Sequence, residues 1–186
     1  MTHDTNRRPD DRHPPIRPNG PEVGGRIKAA VGSLAFLILA PGVVAGLVPW
    51  LITDWQPLPP GDGPGLIRWA GAIPIAAGFV VIVEAFARFA WKGLGTPAPV
   101  APTQRLVVSG FYRFVRNPMY LAVLALIFGQ AVLFAHLGVA LYGVVIAAAF
   151  DTFVRLYEEP TLRAAYSDEY VAYCTAVPRW IPRFRR

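Results

Sequence analysis

Two short groups of residues in the C-terminal half carry the side chains with which this chain could do chemistry. The first is Arg116-Asn117-Pro118-Met119-Tyr120, with Arg113 just upstream. Proline suits the first turn of a helix, where its missing N–H would lack a partner anyway. Arg116 and Asn117 then stand at a helix start, beside backbone donors that favour an anion such as a carboxylate. The second group is Asp151, Arg155, Glu158 and Glu159, at i, i+4, i+7 and i+8, which lines them along one helical face. Ionisable groups at membrane depth are expensive and face a partner or a polar cavity. Glu158 and Glu159 read as lying near a helix C-terminus, where the dipole opposes negative charge, so a cation is expected beside them. Blander roles exist: Arg113 and Arg116 as interfacial arginines, and Asp151–Arg155 as a structural i,i+4 pair. Glu84 with Arg88 repeats that spacing and reads as structural. A single cysteine, Cys174, excludes a disulfide framework and a multi-cysteine metal site, and reads as a small apolar residue. His3, His13 and His136 are too scattered for a metal centre, and His136 reads as interfacial. Gly93-Leu94-Gly95 has no preceding strand and no third glycine, so it is no dinucleotide fingerprint.

The elements that must position these residues are apolar helices. The 186 residues are 54% hydrophobic and 16% charged, where soluble domains carry about 25% charge. Residues 29–53 and 117–150 contain no Lys, Arg, Asp or Glu, and 69–83 is a shorter clean run inside an expected helix at 66–91. A spanning helix needs about 20 apolar residues, so the first and middle segments each fit one crossing. The last is too long for one, and a break near Ala135-His136-Leu137-Gly138 gives two short helices, about 118–134 and 138–156. The expected architecture is therefore all-α and polytopic, with four transmembrane helices and a C-terminal helical hairpin. All of the 18 Lys and Arg residues except Arg68 fall on one side of this arrangement, which puts both termini in the cytoplasm. Trp50, Trp55, Trp69, Trp91 and Trp180 fall near the interfaces. The net charge of +6 is thus explained by topology, and nucleic-acid binding is not expected. Three regions result: a Pro-rich, disordered cytoplasmic tail (1–25), two transmembrane helices (26–92), and a catalytic region (93–186). The last comprises a Pro-rich loop, the hairpin 118–156 and a cytoplasmic C-terminal segment with a helix over 161–176.

At these residues the sequence resembles the membrane methyltransferases of the isoprenylcysteine carboxyl methyltransferase type, which in turn resemble the phospholipid N-methyltransferases. The family pattern is Arg-His/Asn-Pro-x-Tyr opening a short helical hairpin, then Glu-Glu and a Tyr-rich, Pro-containing tail. Here it reads Arg116-Asn117-Pro118-Met119-Tyr120, Glu158-Glu159-Pro160, Tyr166, Glu169-Tyr170, Tyr173 and Val177-Pro178-Arg179-Trp180. The likeness covers about residues 93 to 182. It implies S-adenosyl-L-methionine in a pocket of the C-terminal half, closed by the tail, with a lipophilic acceptor arriving from the bilayer.

On that resemblance the cofactor-binding candidates are Arg116, Asn117, Tyr120, Glu158, Glu159, Tyr166, Tyr170 and Tyr173. Arg116 and Asn117 suit the cofactor's carboxylate, the glutamates its amino or ribose hydroxyl groups, and the tyrosines its adenine or sulfonium. Asp151, Arg155 and Glu158 are the candidates on the acceptor side: a carboxylate to take a proton, or a guanidinium to hold an anionic acceptor. The expected partners are a lipid or other lipophilic small molecule and the surrounding membrane lipids, with no obligate protein partner inferred. The expected location is the cytoplasmic membrane. Where familiar members carry His this chain has Asn117, which can donate and accept a hydrogen bond but cannot titrate. That substitution keeps open a non-catalytic protein of the same fold. An NADPH-dependent reductase of related fold is disfavoured, because paired glutamates would repel the cofactor's 2′-phosphate.

Overall fold

The computed structural model describes residues 41–56, 65–92, 106 and 108–183. The expectations for the tail 1–25, the start of the first span and the Pro-rich loop lie outside the described residues. Every regular element among those described is helical. Helix α1 is Val43–Thr53, and a 3₁₀ turn, Gly65–Gly71, leads into α2, Ala72–Lys92. A second 3₁₀ turn, Gly110–Arg113, precedes α3, Pro118–Leu133, and α4, Leu137–Phe153, which continues into α5, Glu159–Ala176. Two helices are long and apolar enough to cross a membrane, Gly65–Ala87 and Leu137–Ala176, while Val43–Thr53 and Pro118–Leu133 are apolar but shorter.

Two π turns follow from two prolines. The first, Val43–Leu47, closes with Val48 N–H on the Val43 carbonyl. Pro49 follows, and its missing N–H leaves the Val44 and Ala45 carbonyls without their next helical donors. Side chains of the hairpin supply them: Gln130 Nε2 donates to Ala45 O at 2.6 Å, and the Tyr142 hydroxyl to Val44 O at 2.9 Å. An unmet carbonyl in an apolar bundle would cost several kcal/mol, roughly, so these bonds tie α1 to α3 and α4. The second π turn, Val154–Glu158, lies ahead of Pro160. The sequence reading ends the hairpin at 156 and starts a new helix at 161. Instead the chain runs on as one helical rod, because the wide turn accommodates the proline ring without a break. The rod bends at Ser167, whose φ of 44° and ψ of −119° are not helical, so the expected single helix over 161–176 is kinked.

Helices α2 and α3 approach closely because glycines face each other. A Cβ on Gly71 would overlap the Gly129 carbonyl oxygen, and one on Gly78 would sit 2.6 Å from the Ala122 oxygen. Small residues permit such backbone contact where lipid gives no hydrophobic drive to associate. Ala45, Ile82, Phe86, Ala122, Val123, Ile127, Ala131 and Val139 form the core between the helices. The hairpin turns through Ala135 at φ 51°. Ala135 N–H bonds to Val132 O and His136 N–H to Ala131 O, the paired bonds of a Schellman motif. His136 is the N-cap residue of α4 and half-buried, and its Nδ1 is buried without a partner among the described residues.

The bundle has two distinct ends. Ile52 lies against Gly138, and Gly71 against Leu133, so the end of α1, the start of α2 and the hairpin turn are together. The start of α3, the α4–α5 junction and the C-terminal segment meet at the other end.

Candidate functional site

Pro118 occupies the first turn of α3, so Arg116 and Asn117 sit where the chain enters that helix. The hairpin carries the chain away and returns it, which brings the α4–α5 junction alongside. Tyr120, one turn into α3, donates its hydroxyl to Glu158 Oε2 at 2.8 Å. Arg116 Nη1 reaches Glu159 Oε1 at 2.9 Å, with both side chains largely buried. Its other contact is Cys174 Sγ at 2.8 Å. Cys174 is therefore not simply an apolar filler, since its sulfur accepts from a guanidinium. Arg116 Nε is buried and has no partner among the described residues.

The C-terminal segment lies across this junction. Arg179 clamps Glu159 through two bonds, Nε to Oε1 at 2.6 Å and Nη2 to Oε2 at 2.8 Å. Trp180, expected at an interface, donates its indole N–H to Asp151 Oδ1 at 2.8 Å, and its ring meets Tyr120 edge-on at 6.4 Å. Backbone bonds fasten the same segment, Arg116 N–H to Pro178 O at 2.9 Å and Arg183 N–H to Phe114 O at 3.0 Å. Asn117 Nδ2 donates to Arg179 O at 3.1 Å. Beyond the kink, Tyr170 is buried, and Tyr173 donates to Tyr112 O at 2.7 Å.

The two glutamates lie past the apolar stretch that ends near Leu156, and their surroundings set them apart. Burial raises the Glu158 carboxyl above its ordinary value, outweighing the Tyr120 hydrogen bond, and the neighbouring Glu159 charge adds to the rise. Burial alone would raise Glu159 too, but the Arg179 hydrogen bond and the charges of Arg116 and Arg179 hold it below the usual range. The two neighbouring carboxyls are thus shifted in opposite directions.

The structure brings Arg116, Asn117, Tyr120, Glu158, Glu159, Tyr170 and Tyr173 to one end of the bundle. Tyr166, half-buried, lies on the same helix just ahead of the kink. Asp151 and Arg155 form the i,i+4 pair at 2.6 Å, with the Arg155 side chain 55% exposed. Arg155, Glu159, Pro160, Arg163 and Ala164 line an open cleft of about 460 Å³ beside the network. Arg113 stacks over Phe114 at 4.5 Å. The Arg88 side chain lies outside the described residues. Cations do flank Glu159, but not for the reason of a helix end, since the helix continues through it. Arg179 and Trp180 were not singled out from sequence, although the tail motif contains them. Local spacing reaches only a turn or so along a helix, whereas Arg179 and Glu159 are 20 residues apart.

A family model described as phospholipid methyltransferase matches residues 66–169. That stretch runs from the turn before α2 into α5, more than half of the chain. No curated protein and no solved structure matches.

Proposed function

The chain belongs to the phospholipid methyltransferase family, and from that premise we propose that it methylates a lipophilic acceptor at the cytoplasmic membrane face using S-adenosyl-L-methionine. The observation that carries this reading is the meeting of Arg116, Tyr120, Glu158 and Glu159 at one end of the hairpin, roofed by the tail. The donor set fits the cofactor. Arg116 has a buried Nε with no partner among the described residues, which suits a carboxylate. Glu158 suits an ammonium or ribose hydroxyl, and Tyr120, Tyr170 and Trp180 offer ring faces and edges for adenine or a sulfonium.

When bound, the cofactor supplies an electrophilic methyl group, which the acceptor's lone pair takes in line as the carbon–sulfur bond breaks. The chain's residues align the partners and exclude water, the main sources of acceleration for such a transfer. Glu159, held ionised by two guanidiniums, anchors the tail. A neutral amine or thiol acceptor must lose a proton, and Glu158 is the carboxylate whose raised affinity for protons suits that step. Arg155 and Arg163, on the rim of the cleft, suit an acceptor carrying negative charge. Four crossings with both termini cytoplasmic form part of the proposal, an arrangement that sets the site at the basic face of the membrane.

Calorimetry on the detergent-purified full chain tests the proposal. Saturable S-adenosylmethionine binding, weakened by Glu159→Gln and with no response to NADPH, is the expected result. Binding of NADPH alone would instead mark a reductase, and silence toward both a protein that kept the fold without the chemistry.

A further inference from the structure

Asn117 does not face an open pocket. The residue is 6% exposed, and its amide is spent on the carbonyl of Arg179. That carbonyl belongs to the peptide joining Arg179 to Trp180, the two residues whose side chains reach back to Glu159 and Asp151. Neighbouring backbone bonds, at Pro178 and Arg183, hold the segment on either side but leave this peptide's orientation to Asn117. The stretch held by this bond is the one from which the Arg179 guanidinium reaches Glu159 and the Trp180 indole reaches Asp151, so losing it loosens the base of both contacts. The Trp180 ring also meets Tyr120, whose hydroxyl donates to Glu158. A single side-chain donor thus fixes the peptide from which the tail reaches Glu159 and Asp151.

We propose that Asn117 is a positioning residue, whose N–H fixes the Arg179–Trp180 peptide and so latches the C-terminal segment over the site. The requirement at this position is then a hydrogen-bond donor and not a titrating base. Aspartate is nearly the same shape but offers a carbonyl oxygen only repulsion when ionised. Imidazole carries an N–H in both of its protonation states and can replace the amide. The latch stands on the contacts alone, and its effect on a bound cofactor rests on the function proposed above.

The test is limited trypsin digestion of the full chain in detergent, read as the rate of cleavage after Arg179. Opening of the segment sets that rate, and one lost hydrogen bond is worth about 1 kcal/mol, so Asn117→Asp should cleave about 5-fold faster or more at unchanged helical circular dichroism. Asn117→His should return the rate most of the way to that of the parent chain. Trp180→Phe, which removes the indole N–H while keeping an aromatic ring, should also accelerate cleavage and gives a second route if the aspartate variant fails to fold. Affinity for S-adenosylhomocysteine should fall in step with the cleavage rate across the three variants. Turnover of the Asn117→His variant should show no added transition between about pH 5.5 and 8, the range in which imidazole titrates. Parent-like protection in both Asn117→Asp and Trp180→Phe would overturn the latch. So would an Asn117→His variant as labile as the aspartate one, or one that gains turnover through a new imidazole titration. Faster cleavage with no S-adenosylhomocysteine binding by any chain, the parent included, would uphold the latch and refute the cofactor reading instead.

Discussion

Arg116 and Arg113 are three residues apart, yet only one is built into the site. Arg116 gives one nitrogen to Glu159 and Cys174 and keeps a buried Nε in reserve, while Arg113 lies exposed over Phe114. Arg116→Ala should therefore destabilise the protein by about 2 kcal/mol, the scale of a hydrogen bond to a charged partner. It should also abolish measurable S-adenosylmethionine binding, whereas Arg113→Ala should leave stability within about 1 kcal/mol and binding intact. Parallel denaturation and calorimetry on the two variants check this, and equal losses would remove Arg116 from the anion site. The glutamates titrate in opposite senses. Glu159 is depressed, so its contribution is fully present above the ordinary carboxylate value and is lost only as pH falls through its lower folded value. Resistance of the tail to pepsin, a protease that works in acid, should accordingly survive acidification past the ordinary Glu range and fail below it. Glu158 is raised, so its ionised form appears only above the ordinary value, and stability falls as pH climbs through that interval. Turnover on an amine or thiol acceptor should rise over the same interval, and Glu158→Gln should flatten the profile.

At the scale of the element, the apolar runs made the helices legible. A 34-residue clean stretch cannot be one crossing, and the break that this demands is seen at Ala135 and His136. What the sequence hides is how proline acts inside an apolar helix. Pro160 reads as a stop, but the π turn of Val154–Glu158 absorbs the ring and carries the helix onward. The extra residue in that turn shifts the rows of side chains that follow. Glu158 and Glu159 thereby reach α3, while Arg155 stays half exposed with Asp151. The pairing of Arg179 with Glu159 was hidden for another reason: it depends on how a 20-residue excursion folds back, which spacing does not encode. Pro160→Ala lets this turn relax toward an ordinary helix. It should cost little stability, within about 1 kcal/mol, yet lower methyl-donor affinity at least about tenfold, because misplaced contacts at a site cost more than the same change on a surface. Unchanged affinity in that variant would show that the π turn does not set the register of the glutamates. Ala135 makes the opposite case. A left-handed alanine costs about 1–2 kcal/mol, partly offset in glycine by greater chain entropy, so Ala135→Gly should raise stability by about 0.5 kcal/mol.

For the whole molecule, the two ends of the bundle must face different compartments if the polar residues are to avoid lipid. The end bearing Arg116, Glu159 and Arg179 holds most of the described charge, whereas the end formed by Ile52, Gly71 and the hairpin turn has Arg68 beside Trp69. Helix α3, Pro118–Leu133, is about 24 Å long at 1.5 Å per residue, less than the roughly 30 Å of hydrocarbon in an average bilayer. The function proposed above requires the site end to lie at or just within the headgroup layer, so that a lipophilic acceptor can enter without leaving the membrane. This orientation is testable with single cysteines in a Cys174→Ala background, labelled in sealed inverted and right-side-out vesicles. Arg113→Cys and Arg163→Cys should react together from the cytoplasmic side, being exposed on the two flanks of the hairpin. Gln56→Cys and Leu137→Cys should react together from the opposite side. Labelling of 113 and 163 from different sides would mean that the chain does not double back within the membrane. Arg116 and Glu159 could not then meet, and the methyl-transfer site would have no place to form.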